Sequence, residues 1–458
     1  MKPPSRAELV AWDDRYVWHP FTPHAVYRDE APLMVVAAEG NHLIDADGRR
    51  YLDGVASLWC NVFGHRVPAI DAAIRAQLDR VAHATFLGNA TAPAVTLARR
   101  LVECAPAPLA RVFFSDNGST AVEVALKMAL QYWQQADGGR QARRGRFLAL
   151  GSAYHGDTVG AVSLGGIDLF HARYGGLLFG TLRAPSPSCY RHAPGVSRAE
   201  TEEAAVAETE RLIAAHAGEL AAVVLEPGMQ GAAGILTQPA GYVARVARAT
   251  RDAGALLILD EVAVGFGRSA ETLFACQALG VAPDLLCLAK GLTGGYLPMA
   301  ATLTTEAIFE AFLGPPAEGR TFFHGHTYTG NALAAAAAHA TLDLFEQGDV
   351  LAGLPAKAAH LGRALRRLDG LPGVGDVRRF GLCVGVELVA DRVTKAPYPA
   401  AERRGMRVCG VARAHGVFLR PLGDVVVLMP PLSFGPAELD ALVDAIEAGV
   451  RAVCADGR

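Results

Sequence analysis

From about residue 70 onward, apolar positions along the chain follow two alternating patterns. Short continuous runs, "RVFF" at 111–114, "FLAL" at 147–150, "AAVVLE" at 221–226, "ALLILD" at 255–260 and "DLLCLA" at 284–289, read as strands buried on both faces. Elsewhere the spacing lengthens to three and four. Residues 119–135 place Val122, Ala125, Leu126, Ala129, Leu130 and Trp133 on one helical face, and 201–217 and 240–253 are also compatible with helices. Strands alternating with helices predict βαβ crossovers and an open, mostly parallel sheet.

The two ends of the chain depart from this rhythm. The first fifty residues read as a Pro-rich arm with a hairpin, "LIDADGRRYLDG", turning at Asp47-Gly48. Loops are expected at 134–146 and 314–320. After residue 341, two helices, short strands at 382–388 and the hairpin-like "GVFLRPLGDVVVLMPP" predict a smaller C-terminal domain. The expected division is an arm with part of the small domain at 1–70, a large α/β domain at 71–340, and the rest of the small domain at 341–458.

Composition narrows the classes of function. The chain has 458 residues, 51% hydrophobic and 19% charged, enough for two or three domains with large cores. A net charge of −3 gives no electrostatic case for a nucleic-acid or membrane partner. The N-terminus shows no apolar signal-peptide core and no run is long enough to span a bilayer, so a cytoplasmic protein is expected. Eight cysteines are scattered without a C-x-x-C pair, which predicts free thiols rather than a zinc or redox motif.

Ligands of open α/β sheets bind beyond the carboxyl ends of the strands. The chemically notable residues fall at those ends: Ser115 to Ser119 after 111–114, Tyr154 and His155 after 147–150, then Glu226, Asp260 and Lys290. Taken one at a time they are unremarkable. Lys290 reads equally as a surface lysine, Asp260-Glu261 as a cap or ion pair, Gly118-Ser119 as a helix start and Tyr154 as packing. Their joint placement at successive strand ends points to one crevice. A buried lysine there acts as a nucleophilic amine with a lowered pKa. Gly118 and Ser119 at a helix N-terminus favour a phosphate. An amine, an acid, a phosphate cradle and an aromatic lid together suit pyridoxal phosphate, with Lys290 as Schiff-base partner and Asp260 at the ring nitrogen. His324 and His326 in "TFFHGHTYTGN" lack a carboxylate or cysteine at ligand spacing, so no metal site is expected.

The stretches "DNGSTAVEVALKMA", "YHGDT", "EPGMQGAAG", "LDEVAVGFGR", "LAKGLTGG" and "HGHTYTGN" resemble the class III pyridoxal-phosphate aminotransferases over most of residues 15–435. The resemblance implies a type I aminotransferase fold, α/β in class, with a large mostly parallel sheet and a smaller α+β domain. It implies that Lys290 carries the cofactor, Asp260 meets its ring nitrogen, Gly118 and Ser119 hold its phosphate, and Tyr154 covers it and touches substrate. His326 and Thr327 match a pair that reaches the phosphate from a neighbouring subunit, with Gly325 beside substrate, so a homodimer with shared sites is expected.

Further stretches, "WHPFTPH", "ALQYWQ", "FGRSAETLFAC" and "RPLGDVVVLMPP", resemble members of biotin synthesis that convert 8-amino-7-oxononanoate to 7,8-diaminononanoate. There Arg420 matches the arginine that receives the substrate carboxylate, a task suited to a guanidinium fork. Two positions depart from members that use S-adenosylmethionine as amino donor: Leu58 precedes Trp59 where a Trp-Trp pair is common, and Phe21 replaces a tyrosine. "SLWCNVFGHR", "GGYLPMA" and "KAPYPAAERRG" resemble the subgroup that uses lysine. S-adenosylmethionine is the expected donor, with lysine as the alternative. An ω-amino acid:pyruvate aminotransferase or an aminomutase would keep the fold and Lys290 and differ at the wall of Phe21, Trp59 and Arg420. A non-catalytic regulator built on this fold would need a basic DNA-binding module, for which the chain has neither length nor charge.

Overall fold

The computed structural model describes residues 4–30, 32–188, 190–191 and 195–454. A seven-stranded sheet forms its centre, in the order Leu109–Ser115, Ala300–Thr305, Leu285–Leu288, Leu256–Asp260, Leu220–Leu225, Arg146–Leu150 and Leu182–Ala184. All five predicted strands are in it. Neighbouring pairs among Leu285–Leu288, Leu256–Asp260, Leu220–Leu225, Arg146–Leu150 and Leu182–Ala184 run parallel. Ala300–Thr305 runs antiparallel to both of its neighbours.

The apolar runs become strands because the sheet is covered on both faces. Ala222 and Val224 pack with Val122, Ala125, Ala129 and Trp133 of the helix Gly118–Gln135. Val223 and Leu225 face the other way, into a cluster with Val243 and Val246 of Tyr242–Asp252 and with Val206 and Ile213 of Arg198–Ala215. Continuous hydrophobicity at period two is what a strand covered by helices on both sides requires. Trp133 satisfies its indole by donating to the Ala221 carbonyl at 2.9 Å.

The antiparallel strand Ala300–Thr305 escapes the apolar pattern because three of its six residues are threonines. They are buried, and all three bond main chain through their hydroxyls: Thr302 Oγ1 donates to the Ala121 carbonyl at 2.8 Å, Thr304 Oγ1 donates to the Asp284 carbonyl at 3.3 Å, and Thr305 Oγ1 accepts from the Ile308 amide at 3.3 Å. A second difference lies in the arm, where Arg6–Tyr16 forms a helix started by a Ser5–Glu8 capping box. That helix buries no residue, so it leaves little amphipathic signal.

The predicted hairpin forms between His42–Asp45 and Arg50–Asp53, with Asp45 Oδ1 accepting from the amides of Asp47 and Arg49 and Gly48 at φ 78°. Val35–Glu39 extends it on one side. Val417–Phe418, from the far end of the chain, pairs parallel with it on the other. A separate antiparallel sheet joins Val374–Phe380, Cys383–Leu388, Val425–Leu428 and Arg420–Leu422. Seven cysteines are free among the described residues, and the expectation for Cys189 falls outside them. Among the described residues, no helix is long and apolar enough to cross a membrane.

Leu286 lies fully buried in the central sheet. Leu286→Ala should destabilise the protein by about 2–5 kcal/mol, read as a lowered urea midpoint with an unchanged m-value.

Candidate active site

The strand ends meet at one crevice. Asp260, the last residue of Leu256–Asp260, places Oδ2 2.8 Å from His155 Nδ1, while Oδ1 accepts from the Val262 amide at 3.0 Å. Both side chains are buried, and His155 Nε2 has no hydrogen-bond partner. Glu226, just past Leu220–Leu225, accepts from the amides of Tyr154 at 3.2 Å and Gly231 at 2.8 Å. Two backbone donors and no cation touch this carboxylate, so burial pushes its pKa up to about 7. Glu261 is buried alike, accepts from the amides of Ala275 and Cys276 at 2.6 Å each, and is also pushed up to about 7 by burial.

Lys290 opens a short 3-10 turn after Leu285–Leu288, at φ 45°. Its Nζ lies 4.7 Å from the centre of the Trp59 ring. Burial lowers the pKa of this amine from the ordinary lysine value, and the charges of Asp260, Cys60 and Glu226 act against that shift. The result is an amine more easily deprotonated than a surface lysine, beside a buried acid.

The aromatic wall is continuous. Tyr154 stacks on His171 at 6.3 Å and meets Phe170 edge-on at 6.2 Å, and Phe170 meets Phe21 edge-on at 5.2 Å. The Tyr154 hydroxyl donates to Asp157 at 2.7 Å. Trp59 belongs to an apolar cluster with Val427 and with Leu422 and Val425 of the hairpin that carries Arg420. The wall is also strained: Phe21, Ala56, Ser57, Trp59 and Lys290 have φ of 50°, 47°, 60°, 68° and 45° without being glycine. Such residues cost about 1–3 kcal/mol each and gather where function fixes the backbone.

Gly118 and Ser119 begin the helix Gly118–Gln135, capped by the Asn117 side chain through the Thr120 amide. Their own amides have no acceptor within the helix. A Cβ at Gly118 would come 2.5 Å from Val262 Cγ1, and one at Gly156 2.4 Å from Ser119 Cβ. Ser119 Oγ lies 2.7 Å from Thr158 Oγ1 and accepts from the Thr158 amide, which ties this cradle to the loop carrying Tyr154 and His155. A phosphate cradle, an amine, an acid and an aromatic face thus share one crevice, and the donor set fits pyridoxal phosphate.

These contacts join Lys290 to Trp59, Asp260 to His155 and Phe21 through Phe170 to Tyr154, and tie Ser119 to the loop that carries Tyr154. Gly325, His326 and Thr327 sit elsewhere. The Thr327 carbonyl accepts from His83 Nε2 at 2.8 Å, the His326 amide donates to Thr329 Oγ1 at 3.2 Å, and Gly325 lies near Leu87. Sequence reading placed His155 and Glu226 at strand ends without giving either a role: His155 is the neighbour of Asp260, and Glu226 holds the Tyr154 amide. It passed over Phe170, which bridges Phe21 to Tyr154.

Residues 24–450 match the family model for aminotransferase class-III. The chain belongs to the aminotransferase class III family. It is 56% identical over 98% of its length to the adenosylmethionine-8-amino-7-oxononanoate aminotransferase of Nitratidesulfovibrio vulgaris, covering 83% of that protein. The crystal structure of the aminotransferase of that name from Methanocaldococcus jannaschii superposes with a TM-score of 0.91 at 43% identity, over 98% of this chain and 100% of the other. An (S)-enantioselective omega-transaminase from Thermomicrobium roseum superposes with a TM-score of 0.92 at 36% identity, over 99% of this chain and 100% of the other. The fold is accordingly that of the class III enzymes, with the large seven-stranded sheet and a smaller part, and the protein is a transaminase.

The raised Glu226 pKa has a consequence for stability. In the folded state the carboxyl keeps its proton up to about 7, whereas its ordinary value is 4.5. Its contribution to stability is full below 4.5 and is lost as pH rises through 7. The melting temperature of the wild type relative to Glu226→Gln should therefore fall between pH 5 and pH 8, on the order of a few degrees. A difference that is flat across that range in thermal melts would contradict the assignment.

Proposed function

We propose that this protein transfers an amino group from S-adenosylmethionine to 8-amino-7-oxononanoate, giving 7,8-diaminononanoate in biotin synthesis, with pyridoxal phosphate as cofactor. The observation that carries the substrate is the 56% identity, over 98% of the chain, to a relative bearing that name. Arg420 receives the keto acid's carboxylate in this reading, which its position supports: it is half-buried on the strand Arg420–Leu422, whose hairpin packs against Trp59. Among the described residues no carboxylate is paired with it, so its fork is available to an anionic substrate.

When bound, pyridoxal phosphate supplies an electrophilic carbonyl and a ring that draws electrons from the substrate carbon. The chain supplies the rest. The amides of Gly118 and Ser119 bind the phosphate at the positive end of their helix. Asp260, held in place by His155 Nδ1 and the Val262 amide, keeps a proton on the pyridine nitrogen. Lys290 anchors the cofactor and, once released, takes the proton from the donor Cα as general base and returns it as acid. Burial suits Lys290 to that exchange because it makes the neutral amine accessible. Tyr154 would help hold the cofactor, and Trp59 and Phe21 would exclude water from the substrate side. The keto acid then occupies the same crevice, with Arg420 fixing its carboxylate end, so the cycle is of ping-pong type.

The partner subunit's His326 and Thr327 complete the phosphate site, and the partner's Gly325 lies beside substrate. This accounts for their separation from Lys290 within one chain. It also accounts for an apolar surface around that loop, where Phe323 is 81%, Tyr328 63% and Leu87 67% exposed. The working form is a homodimer of the cytoplasm.

A second reading is kept open by Leu58 and Phe21 and by the likeness to an omega-transaminase. Purified yellow enzyme mixed separately with S-adenosylmethionine, L-lysine and a simple ω-amine separates the cases by which amine bleaches the cofactor. Bleaching by S-adenosylmethionine supports the proposal, bleaching by lysine alone changes the donor, and bleaching by the ω-amine alone refutes the biotin assignment.

Lys290→Ala should abolish multiple turnover, and retained turnover would remove the mechanism. Arg420→Ala should raise KM for 8-amino-7-oxononanoate at least about tenfold while the protein stays yellow. An unchanged KM would move the carboxylate site elsewhere. Lys290→Ala and Thr327→Ala subunits, mixed, should regain activity in the heterodimer, which holds one intact site. No recovery after confirmed exchange would refute the shared site.

A further inference from the structure

The turn that carries Leu58 and Trp59 is strained. Ala56, Ser57 and Trp59 all have positive φ, and Ser57 sits at φ 60°, ψ −72°, a conformation that L side chains avoid. Backbone bonds from Trp59 to the Val55 carbonyl and from Cys60 to the Ala56 carbonyl oppose relaxation, and so does one fully buried carboxylate that grips Ser57, the residue at the centre of the strain. Asp53, the last residue of the strand Arg50–Asp53, accepts from the Ser57 amide with Oδ1 at 2.8 Å and Oδ2 at 2.7 Å. Oδ2 also accepts from the Ser57 hydroxyl at 3.0 Å and lies 2.9 Å from His65 Nε2. The strand behind it is anchored on both sides. Asp53 donates its amide to the Asn41 carbonyl, and Gly54 bonds the carbonyl of Phe418 and the amide of Met429. His65 is fixed in turn by a two-way backbone bridge with Gly40.

We propose that Asp53 is a positioning residue that sets the donor specificity of the site. It clamps the strained turn so that Trp59 lies over Lys290 and Leu58 is left exposed. Lys290, Asp260 and His155 stand on the central sheet and do not depend on this clamp. Weakening the clamp therefore alters the wall met by a large donor and leaves the reacting groups in place. The inference rests on the reading of this crevice as the transaminase site.

The test compares a bulky and a small donor on the holoenzyme. The bulky donor is S-adenosylmethionine, or the largest amine that the wild type accepts, and the small donor is isopropylamine. Asp53→Asn keeps the size of the side chain and removes the charge that gathers three donors. KM for the bulky donor should rise roughly tenfold, with kcat and the isopropylamine half-reaction within about twofold of wild type. Adding Ser57→Gly should return that KM to within about threefold of wild type, because glycine adopts positive φ without cost. Unchanged donor KM, or an equal loss for both donors that glycine does not repair, would overturn the proposal. Should Asp53→Asn fail to fold, His65→Gln, which releases one oxygen of the clamp, decides on the same terms: an unchanged ratio between the two donors overturns it. Failure of the wild type to use S-adenosylmethionine would count against that donor and leave the clamp to be judged on the largest amine accepted.

Discussion

The structure depends on an amine held where its charge is disfavoured. Lys290 sits at the end of a fully buried strand, against an indole face, close to Asp260. Taking an ammonium out of water is costly, so the site must either neutralise it or balance it. It does both, through burial that lowers the amine's pKa and through the acid one strand away. Everything else in the crevice serves that compromise. The parallel strands bring the acid and the amine to the same edge, and helices on both faces of the sheet keep water from the strands that support them.

Two supports of different character then divide the work. The reacting groups stand on the central sheet, whose strands interlock by register and by cores on both faces. The substrate wall stands on a strained turn of the arm and on a hairpin from the far end of the chain. A rigid sheet fixes chemistry, while turns and hairpins tolerate exchange of side chains. This division accounts for the near-equal superposition of two class III structures, one named for a biotin-pathway substrate and one for omega-transamination. The fold does not choose between them.

Most of this architecture was legible in the chain because parallel strands under helices write long apolar runs, and the ligands of such sheets gather at strand ends. Lys290, Asp260, Tyr154 and the Gly118-Ser119 helix start could be placed in one crevice from those two rules. Ala300–Thr305 could not be placed, since its threonines make their polar bonds with the main chain of other segments and look like a loop in sequence. The arm helix buries nothing and so carries no periodicity. Backbone strain at Ser57 and Trp59 was invisible for a different reason. Positive φ in a non-glycine residue leaves no compositional mark, and only the partner that enforces it, here Asp53, reveals it. The bridge from Phe21 through Phe170 to Tyr154 joins segments far apart in sequence, and pattern reading does not supply such contacts.

The carboxylates around Lys290 show how several acids coexist in a buried crevice. Three of them, Asp260, Glu226 and Glu261, lie buried within the same region. Their partners differ in kind. Glu226 meets backbone amides, Glu261 meets backbone amides and the Cys276 thiol, and burial pushes both pKa values up to about 7. Asp260 alone has a histidine at 2.8 Å. Like charges in a low-dielectric site repel strongly, and burial that favours the protonated forms of Glu226 and Glu261 lessens that repulsion around Asp260. The pair also works as scaffolding: Glu226 ties the Tyr154 loop to Gly231 behind Trp59, and Glu261 starts the short helix Ala275–Ala278. Asp260, by contrast, gives its oxygens to His155 and the Val262 amide, on the strand that pairs with the one before Lys290.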